Sequence, residues 1–316
     1  MANTLARRPL IGETPGMLEI KRLTAAVAQN RSTILIRGES GTGKELVARE
    51  IHSLGHRAEA PFVAVNCGSV SKTLLESELF GHVKGAFTGA LYDTLGFFRA
   101  ADTGTIFLDE VVEMDVELQS KLLRVLQERE VRPVGASESH QVDVRVVAAT
   151  NRHVEDVVKQ GLLREDLYYR LNVVSIELPS LRQRKADIPR LVDYFLEKYA
   201  FEYGVAAKKL HPGTSYVFLQ YGWPGNVREL ENVIERAYAL DAGDVIIPEH
   251  LPSRMLEGDD SVETRPDDSP VPTLAEAERE AIVQALAAAS GNKSRAADYL
   301  QIHRNRLARM MRRYHI

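Results

Sequence analysis

The sequence feature that most constrains the fold is a glycine-rich loop at residues 38–44. It fits the pattern G-x-x-x-x-G-K and lies between an apolar run at 33–36 and a helical pattern that starts near Glu45. Glycines let backbone N–H groups turn toward phosphate oxygens, and the N-terminus of the following helix adds partial positive charge. Strand, loop and helix in this order predict a nucleotide phosphate site, in which Lys44 reaches the β- and γ-phosphates. The predicted contact residues are Gly38, Glu39, Ser40, Gly41, Thr42, Gly43, Lys44 and Glu45.

A second apolar run, at residues 104–108, ends in two carboxylates, Asp109 and Glu110. In nucleotide-hydrolysing sites one such carboxylate holds Mg²⁺ and the other polarises the attacking water. We therefore assign the metal to Asp109 and the water to Glu110. The residue after Lys44 is Glu45 instead of the Ser or Thr that usually touches magnesium, which shifts metal binding further toward Asp109. An exposed acidic turn after a core strand is the alternative interpretation.

Hydrophobic patterning divides the chain into parts. Residues 1–180 alternate short β-branched runs with helical stretches, which is typical of an α/β domain with a buried parallel sheet. Residues 181–251 have a helical pattern and predict a smaller α-helical lid. Residues 252–272 are acidic and rich in Ser, Asp and Pro, so we expect a linker. The four predicted strands lie at 33–36, 62–65, 105–108 and 144–149.

Residues 273–316 are again helical and predict a helix-turn-helix domain. From residue 293 onward basic residues dominate, whereas the whole chain carries a net charge of −4. A basic end on an acidic protein predicts a polyanion partner for that end. A basic, solvated helical hairpin is the alternative. The candidate DNA contacts, all in the second helix of the motif, are Arg304, Asn305, Arg306 and Arg309.

Composition excludes several classes of protein. The chain of 316 residues is 44% hydrophobic and 27% charged, as in ordinary soluble domains. It has no apolar run of eighteen residues and no apolar signal-peptide core, so we predict no membrane association and a cytoplasmic location. Cys67 is the single cysteine, which excludes an intramolecular disulfide.

Residues 85–90 lie between the glycine-rich loop and the acidic strand end, and they indicate a family. They read Gly85, Ala86, Phe87, Thr88, Gly89 and Ala90. GAFTGA in this place resembles the sigma-54-contacting loop of the NtrC-type bacterial enhancer-binding proteins, which are AAA+ transcription activators. GESGTGKE at residues 38–45 is also similar to that family. The resemblance implies that Phe87 is an exposed residue that docks on sigma-54 with Thr88 beside it. The alternative is a Phe87 folded back onto its own core.

Further residues take roles from the same resemblance. Asn66 matches the family's switch residue, which holds Glu110 inactive; a strand-end Asn that caps a turn is the equal alternative. Asn151 matches sensor I. Arg164 and Arg170 match arginine fingers that reach the nucleotide of a neighbouring subunit, although Arg164 also fits a solvated pair with an acid. Other matches concern the lid: WPGNVREL at 223–230 matches sensor II, in which Asn226 caps a helix and Arg228 faces the phosphates.

Together these matches imply a sigma-54-dependent activator with ATP and Mg²⁺ as ligands. Its partners would be the sigma-54 RNA polymerase holoenzyme and upstream enhancer DNA, and its subunits would assemble from dimers into a hexameric ring. No receiver, GAF or PAS domain precedes residue 10, so we expect control by a regulatory protein acting in trans or by a sensory domain removed from this chain. The rival hypotheses are a DNA-binding repressor on the same scaffold, against which the intact GAFTGA argues, and a general AAA+ remodeller, which would not need residues 273–316.

Overall fold

The computed structural model describes residues 9–68, 71–240, 243–256, 282, 285, 286, 289, 292–299, 307 and 311. The chain divides into two compact units, Met1–Asp259 and Asp260–Ile316. Each unit has its own hydrophobic core.

A five-stranded parallel sheet organises the first unit within the described residues. The strands of this unit are β1 (Ile34–Arg37), β2 (Phe62–Asn66), β3 (Thr105–Asp109), β4 (Glu130–Val131), β5 (His140–Gln141), β6 (Arg145–Thr150), β7 (Val174–Glu177), β8 (Lys209–Leu210) and β9 (Val245–Ile246). The spatial order in the large sheet is β2-β3-β6-β1-β7. A two-stranded antiparallel ribbon, β4 with β5, and a small parallel pair, β8 with β9, accompany it. The four predicted strands are confirmed as β1, β2, β3 and β6, and the prediction missed β7.

Helices cover both faces of the sheet and build the lid. The helices of the first unit are α1 (Pro15–Ala28), α2 (Lys44–Ser53), α3 (Lys72–Phe80), α4 (Phe97–Ala100), α5 (Val116–Glu128), α6 (Val154–Lys159), α7 (Glu165–Leu171), α8 (Ile188–Tyr203), α9 (Pro212–Gln220), α10 (Asn226–Ala239) and α11 (Ser253–Leu256). One apolar core joins β2, β3 and β6 to α3, α5 and α7. A second core packs β1 and β6 against α1 and α2. The sheet is therefore buried on both faces, which explains the near-continuous apolar strands.

Strand register brings the polar ends of the strands together. Asn66 is paired with Asp109 across β2 and β3, and Arg37 is paired with Thr150 across β1 and β6. Because these strands are parallel, their carboxyl ends meet at one edge of the sheet, where ligands bind in open α/β folds.

The lid forms a separate apolar cluster around α8, α9 and α10. Trp223 is fully buried there, and its indole Nε1–H donates to the carbonyl oxygen of Phe218 at 2.8 Å. On α8, one apolar face is buried in this cluster; it consists of Ile188, Leu191, Val192, Phe195 and Leu196. Met255 on α11 also packs into this cluster, so the packing of the lid continues past residue 251, after which the linker was expected to begin.

In the second unit the described residues include one further helix, α12 (Lys293–Tyr299). Its Ala296 and Ala297 are buried together with Leu307 and Met311 in one apolar cluster. The four candidate DNA contacts, Arg304, Asn305, Arg306 and Arg309, lie outside the described residues. Across the described part of both units, no helix is long and apolar enough to span a bilayer.

Candidate nucleotide site and the adjoining loop

The glycine-rich loop begins where β1 ends and leads directly into α2. Gly38, Gly41 and Gly43 all have positive φ, of 151°, 77° and 104°, which few side-chain-bearing residues tolerate. The Lys44 ammonium folds back over the loop and donates to the carbonyl oxygens of Gly38 at 2.9 Å and Glu39 at 3.1 Å. Burial lowers the pKa of Lys44, while Asp109 and Glu110 oppose that shift. The lysine is therefore held at the loop by carbonyls that an incoming phosphate can replace.

The two carboxylates lie across the cavity from the loop, at the end of β3. Burial raises the pKa of Asp109, and the charge of Lys44 acts in the opposite direction. Glu110 has a φ of 55°, a left-handed conformation that is uncommon for a glutamate. A Cβ built on Gly68 would lie 2.7 Å from Glu110 Oε2, so the carboxylate rests against the turn after β2.

Asn66 forms that turn. Its Oδ1 accepts a hydrogen bond from the backbone N–H of Gly68 at 2.9 Å, which is the turn-capping geometry that the sequence left as the alternative. The same side chain stands beside Asp109 in the sheet register and lines the cavity with Glu110. Asn66 thus caps the turn and also lies beside Glu110, where a switch residue would have to be. Its switch role stays a prediction.

A single cavity of about 710 Å³ is lined by five of the eight predicted phosphate contacts and by the predicted metal residue, whereas Gly38, Glu39 and Thr42 do not line it. Its walls come from the glycine-rich loop, α2, the end of β3 and α10. Its lining includes Ser40, Gly41, Gly43, Lys44, Glu45, Asn66, Asp109, Glu110 and Arg228. Four parts of the chain therefore meet at one site: the loop with α2, β2, the end of β3 and the start of α10.

Next to it, the structure has an apolar pocket of about 60 Å³ that the sequence analysis missed. It lies where the N-terminal segment at 9–11 crosses between the loop and the lid. Its lining includes Leu10, Ile11, Thr42, Gly43, Leu46, Tyr194, Phe195 and Val227. These residues are mostly apolar and scattered over the chain, so no local motif marked them.

The lid contacts the loop directly. Arg228 Nη1 donates to Ser40 Oγ at 3.1 Å, and the backbone N–H of Val227 donates to the carbonyl oxygen of Gly41 at 3.0 Å. The expected capping role of Asn226 is wrong: α10 has Gly225 at its N-cap, and Asn226 has a φ of 53°. The fully buried Asn226 side chain instead bridges the lid to the loop.

The two predicted arginine fingers lie away from this cavity. Arg164 donates to Asp166 Oδ2 at 2.7 Å and to Ser120 Oγ at 3.1 Å, and Arg170 donates to the carbonyl oxygen of Leu126 at 2.9 Å. Of the described residues that line the cavity, none is Arg164, Arg170 or the predicted sensor Asn151. Within a single subunit, Arg164 is therefore paired with an acid, as the alternative interpretation expected. Action on a neighbouring subunit stays a prediction for both arginines.

The loop at residues 85–90 is a compact turn. The N–H of Gly85 donates to the carbonyl of Ala90 at 2.9 Å, which closes its base. Thr88 is exposed at the tip and Ala90 is buried. Phe87 is half-buried, with its ring centroid 5.0 Å from that of His82. Phe87 was expected to be exposed, and in this conformation it is half-buried, because its ring packs on the side chain at the base of its own loop. Its contact with sigma-54 stays a prediction.

Comparison with known proteins agrees with this geometry. Residues 10–177 match the family described as "Sigma-54 interaction domain". The chain belongs to the sigma-54-dependent enhancer-binding proteins. In this enhancer-binding protein, residues 182–268 match the AAA+ ATPase lid domain, and residues 273–314 match the Fis family of bacterial regulatory proteins. The predicted AAA+ fold, helical lid and helix-turn-helix domain are thus confirmed, and the last of these is of the Fis type.

Individual relatives cover most of the chain. ZraR, a transcriptional regulatory protein of Escherichia coli K12, is 46% identical over 306 residues, which are 97% of this chain and 69% of ZraR. The Nif-specific regulatory protein of Herbaspirillum seropedicae is 53% identical over 242 residues, which are 77% of this chain and 45% of that protein.

Solved structures of NtrX from Brucella abortus share the fold. The complex with ADP has a TM-score of 0.75 at 32% identity, over 100% of this chain and 72% of NtrX. The complex with ATP has a TM-score of 0.73 at 33% identity, over 98% of this chain and 70% of NtrX. The enhancer-binding protein is thus a sigma-54-dependent transcription activator of the AAA+ ATPase class with a helix-turn-helix domain.

Proposed function

We propose that this enhancer-binding protein binds and hydrolyses ATP in the cavity between residues 38–44 and α10. The observation that carries the proposal is that Lys44, Asp109, Glu110 and Arg228 line one cavity of about 710 Å³. Phosphates at this position would meet the backbone N–H groups of the loop and the N-terminus of α2. The NtrX complexes with ADP and ATP support this choice of ligand.

The base of the nucleotide would occupy the adjacent apolar pocket. That pocket borders Thr42 and Gly43 on one side and Leu10, Ile11 and Tyr194 on another, which suits a planar ring joined to phosphates at the loop. Both the core and the lid contribute to it, so nucleotide binding would draw the two subdomains together.

The residues at the end of β3 fit a magnesium ion. Mg²⁺ is usually held by one or two carboxylates together with substrate phosphates, and no larger cluster of possible metal ligands occurs in the described residues. Asp109, half-buried and directed into the cavity, would be its protein ligand. When bound, the ion would neutralise charge on the β- and γ-phosphates.

Glu110 would accept a proton from the attacking water or orient it. Asn66, which lines the same cavity beside it, would restrain the Glu110 carboxylate until the partner engages. Asn151 would sense the γ-phosphate.

The two candidate arginine fingers would act between subunits. Planar guanidinium groups match the charge that develops on the transferred phosphoryl group, so Arg164 and Arg170 would act on the nucleotide of a neighbouring subunit. Active subunits would then form a ring, with a hexamer as the expected size.

Hydrolysis would be used to open a promoter. The turn at residues 85–90 belongs to the matched sigma-54 interaction domain, and its glycines at 85 and 89 have positive φ with open space around them. Such a turn can change shape as the nucleotide site changes. We propose that Phe87 leaves its packing on His82 and docks, beside Thr88, on sigma-54 in the closed complex.

The helix-turn-helix domain would hold the ring at upstream DNA, with Arg304, Asn305, Arg306 and Arg309 as contacts to bases and phosphates. Dimers of the protein would recognise paired half-sites. A regulatory protein acting in trans would control the assembly. The site of action would be the cytoplasm.

The first test is magnesium-dependent hydrolysis. Phosphate release from ATP is expected with MgCl₂ and is expected to fall by roughly a hundredfold or more with excess EDTA, because charge neutralisation at the transferring phosphoryl group is lost. Restoring free Mg²⁺ should restore the rate, which controls for denaturation by the chelator. A rate that is the same with and without EDTA would contradict the assignment of Asp109, and no hydrolysis under either condition would contradict the ATPase.

A further inference from the structure

The glycine-rich loop carries a negative charge where it is expected to bind a polyanion. Glu39 is the second residue of the loop, and its carboxylate is ionised, because hydrogen bonds from Arg182 hold its pKa below the usual range. An uncompensated carboxylate on this loop would oppose the binding of a triphosphate by Coulomb repulsion. Glu39 does not itself line the cavity and its side chain is partly exposed, so solvent screens part of that repulsion. The loop therefore needs a means of neutralising this side chain.

The lid supplies the positive charge that neutralises Glu39. Arg182, in the turn that starts the lid, donates through Nη1 to Glu39 Oε2 at 2.8 Å and through Nη2 to Glu39 Oε1 at 2.5 Å. The pair is bidentate, which is the geometry in which a guanidinium binds a carboxylate most specifically. The pair joins residues 143 positions apart, so it is a tertiary contact between the ATPase core and the lid.

Asn226 fixes the same carboxylate from the lid side. Its Nδ2 donates to Glu39 Oε2 at 3.1 Å and to the carbonyl of Ser40 at 3.0 Å, while its Oδ1 accepts from the backbone N–H of Leu181 at 2.8 Å. Asn226 is fully buried, whereas the side chains of Glu39 and Arg182 are partly exposed. The backbone of Leu181, to which Asn226 is bound, immediately precedes Arg182, and the arginine is thereby held against Glu39.

The other acidic residues of the loop and the strand end have different partners or roles. Glu45 accepts from Arg49 within α2, at 2.8 and 2.6 Å, and Asp109 and Glu110 are assigned to the metal and the water. Among these four acids, Glu39 is thus the one whose charge is balanced by the lid.

We propose that Arg182 is a positioning residue for nucleotide binding, which neutralises Glu39 and turns its carboxylate away from the phosphates only while the lid is docked on the loop. This inference rests on the proposed nucleotide site. It makes affinity for the phosphates depend on the lid through charge, in addition to any contact that the lid makes with the nucleotide. Arg182 needs no contact with the nucleotide for this role.

Charge rescue tests the proposal. ADP affinity is measured by calorimetry on the full chain for the wild type, Arg182→Ala, Arg182→Lys, Glu39→Gln and the double variant Arg182→Ala/Glu39→Gln. Arg182→Ala is expected to weaken ADP binding about tenfold, since it leaves an ionised and unpaired carboxylate on the phosphate-binding loop. The double variant is expected to return to within about threefold of the wild type, and Arg182→Lys to retain most of the affinity because the charge remains.

A purely structural role for Arg182 predicts a different pattern. If the arginine only braced the lid, removing the charge of Glu39 as well would not restore binding, and a double variant as weak as Arg182→Ala would overturn the proposal. Wild-type affinity in Arg182→Ala would overturn it too. Arg22→Ala is the matched control: it breaks an exposed arginine–glutamate pair on α1, with Glu19, and should leave ADP affinity unchanged. If the wild type itself did not bind ADP, the nucleotide site and this inference would both fail, whereas a missing rescue with normal wild-type binding would reject the inference alone.

Discussion

Replacing Glu110 with Gln is expected to lower kcat for ATP hydrolysis by roughly 10²–10⁴-fold while changing nucleotide affinity little, because a positioned general base contributes about that much. The amide keeps the shape of the side chain, which rests against the turn at Gly68, but it cannot accept a proton from water. The measurement is steady-state phosphate release, together with calorimetric titration of ADP to follow binding.

Glu113→Gln is the matched control for this substitution. Glu113 lies three residues further on and pairs with Arg152 at 2.7 Å at the protein surface, so its loss should change kcat by less than about twofold. If Glu110→Gln hydrolysed ATP at the wild-type rate, Glu110 would not be the catalytic carboxylate and the assignment of the acidic strand end would have to be reversed or abandoned.

Gly41→Ala is expected to weaken nucleotide binding at least about tenfold and to separate the lid from the loop. Gly41 has a φ of 77°, and a Cβ there would lie 2.3 Å from the carbonyl oxygen of Gly225. A left-handed conformation costs an alanine about 1–2 kcal/mol. The clash adds to this cost, because the atom that the Cβ would meet belongs to the backbone of Gly225 and cannot rotate away as a side chain could. The contacts of the loop with Val227 and Arg228 would be lost together. ADP affinity and the thermal unfolding midpoint are the measurements.

Gly204→Ala separates the two contributions. Gly204, at the end of α8, has a φ of 67°, but a Cβ added there would meet no atom within 4 Å, so it has the conformational cost without the clash. We expect it to lower the unfolding midpoint slightly and to leave ADP affinity unchanged. Equal losses of affinity in the two variants would contradict the close approach of loop and lid.

Much of this architecture could be predicted because its signals are local. The glycine-rich loop and the acidic strand end are contiguous motifs, and each lies where its strand context requires it. β7 was missed because its four residues, Val174–Glu177, include a Ser and a Glu and form only a short apolar run. The strand exists because it pairs with β1, a contact that no local pattern encodes.

The parts of the site that sequence reasoning missed depend on tertiary contacts. Asn226 was expected to cap a helix because of its position in the sequence. Its positive φ and its burial instead direct the amide into the contact between lid and loop. Phe87 was expected at the surface because no apolar run surrounds it. Its actual partner, His82, is at the base of the loop, and only the turn brings the two rings together. The apolar pocket beside the loop is likewise assembled from Leu10, Tyr194 and other residues that share no motif.

Open-complex formation at a sigma-54 promoter would show whether ATP hydrolysis by this protein is coupled to promoter opening through Thr88. The wild type and Thr88→Ala would be compared with sigma-54 holoenzyme and ATP, with parallel assays of ATP hydrolysis. Thr73→Ala, which removes an exposed threonine on α3, is the control. The account predicts that the wild type and Thr73→Ala open the promoter, and that Thr88→Ala hydrolyses ATP without opening it. A wild type that hydrolyses ATP but never opens the promoter, or a Thr88→Ala variant that opens it as well as the wild type, would contradict the account.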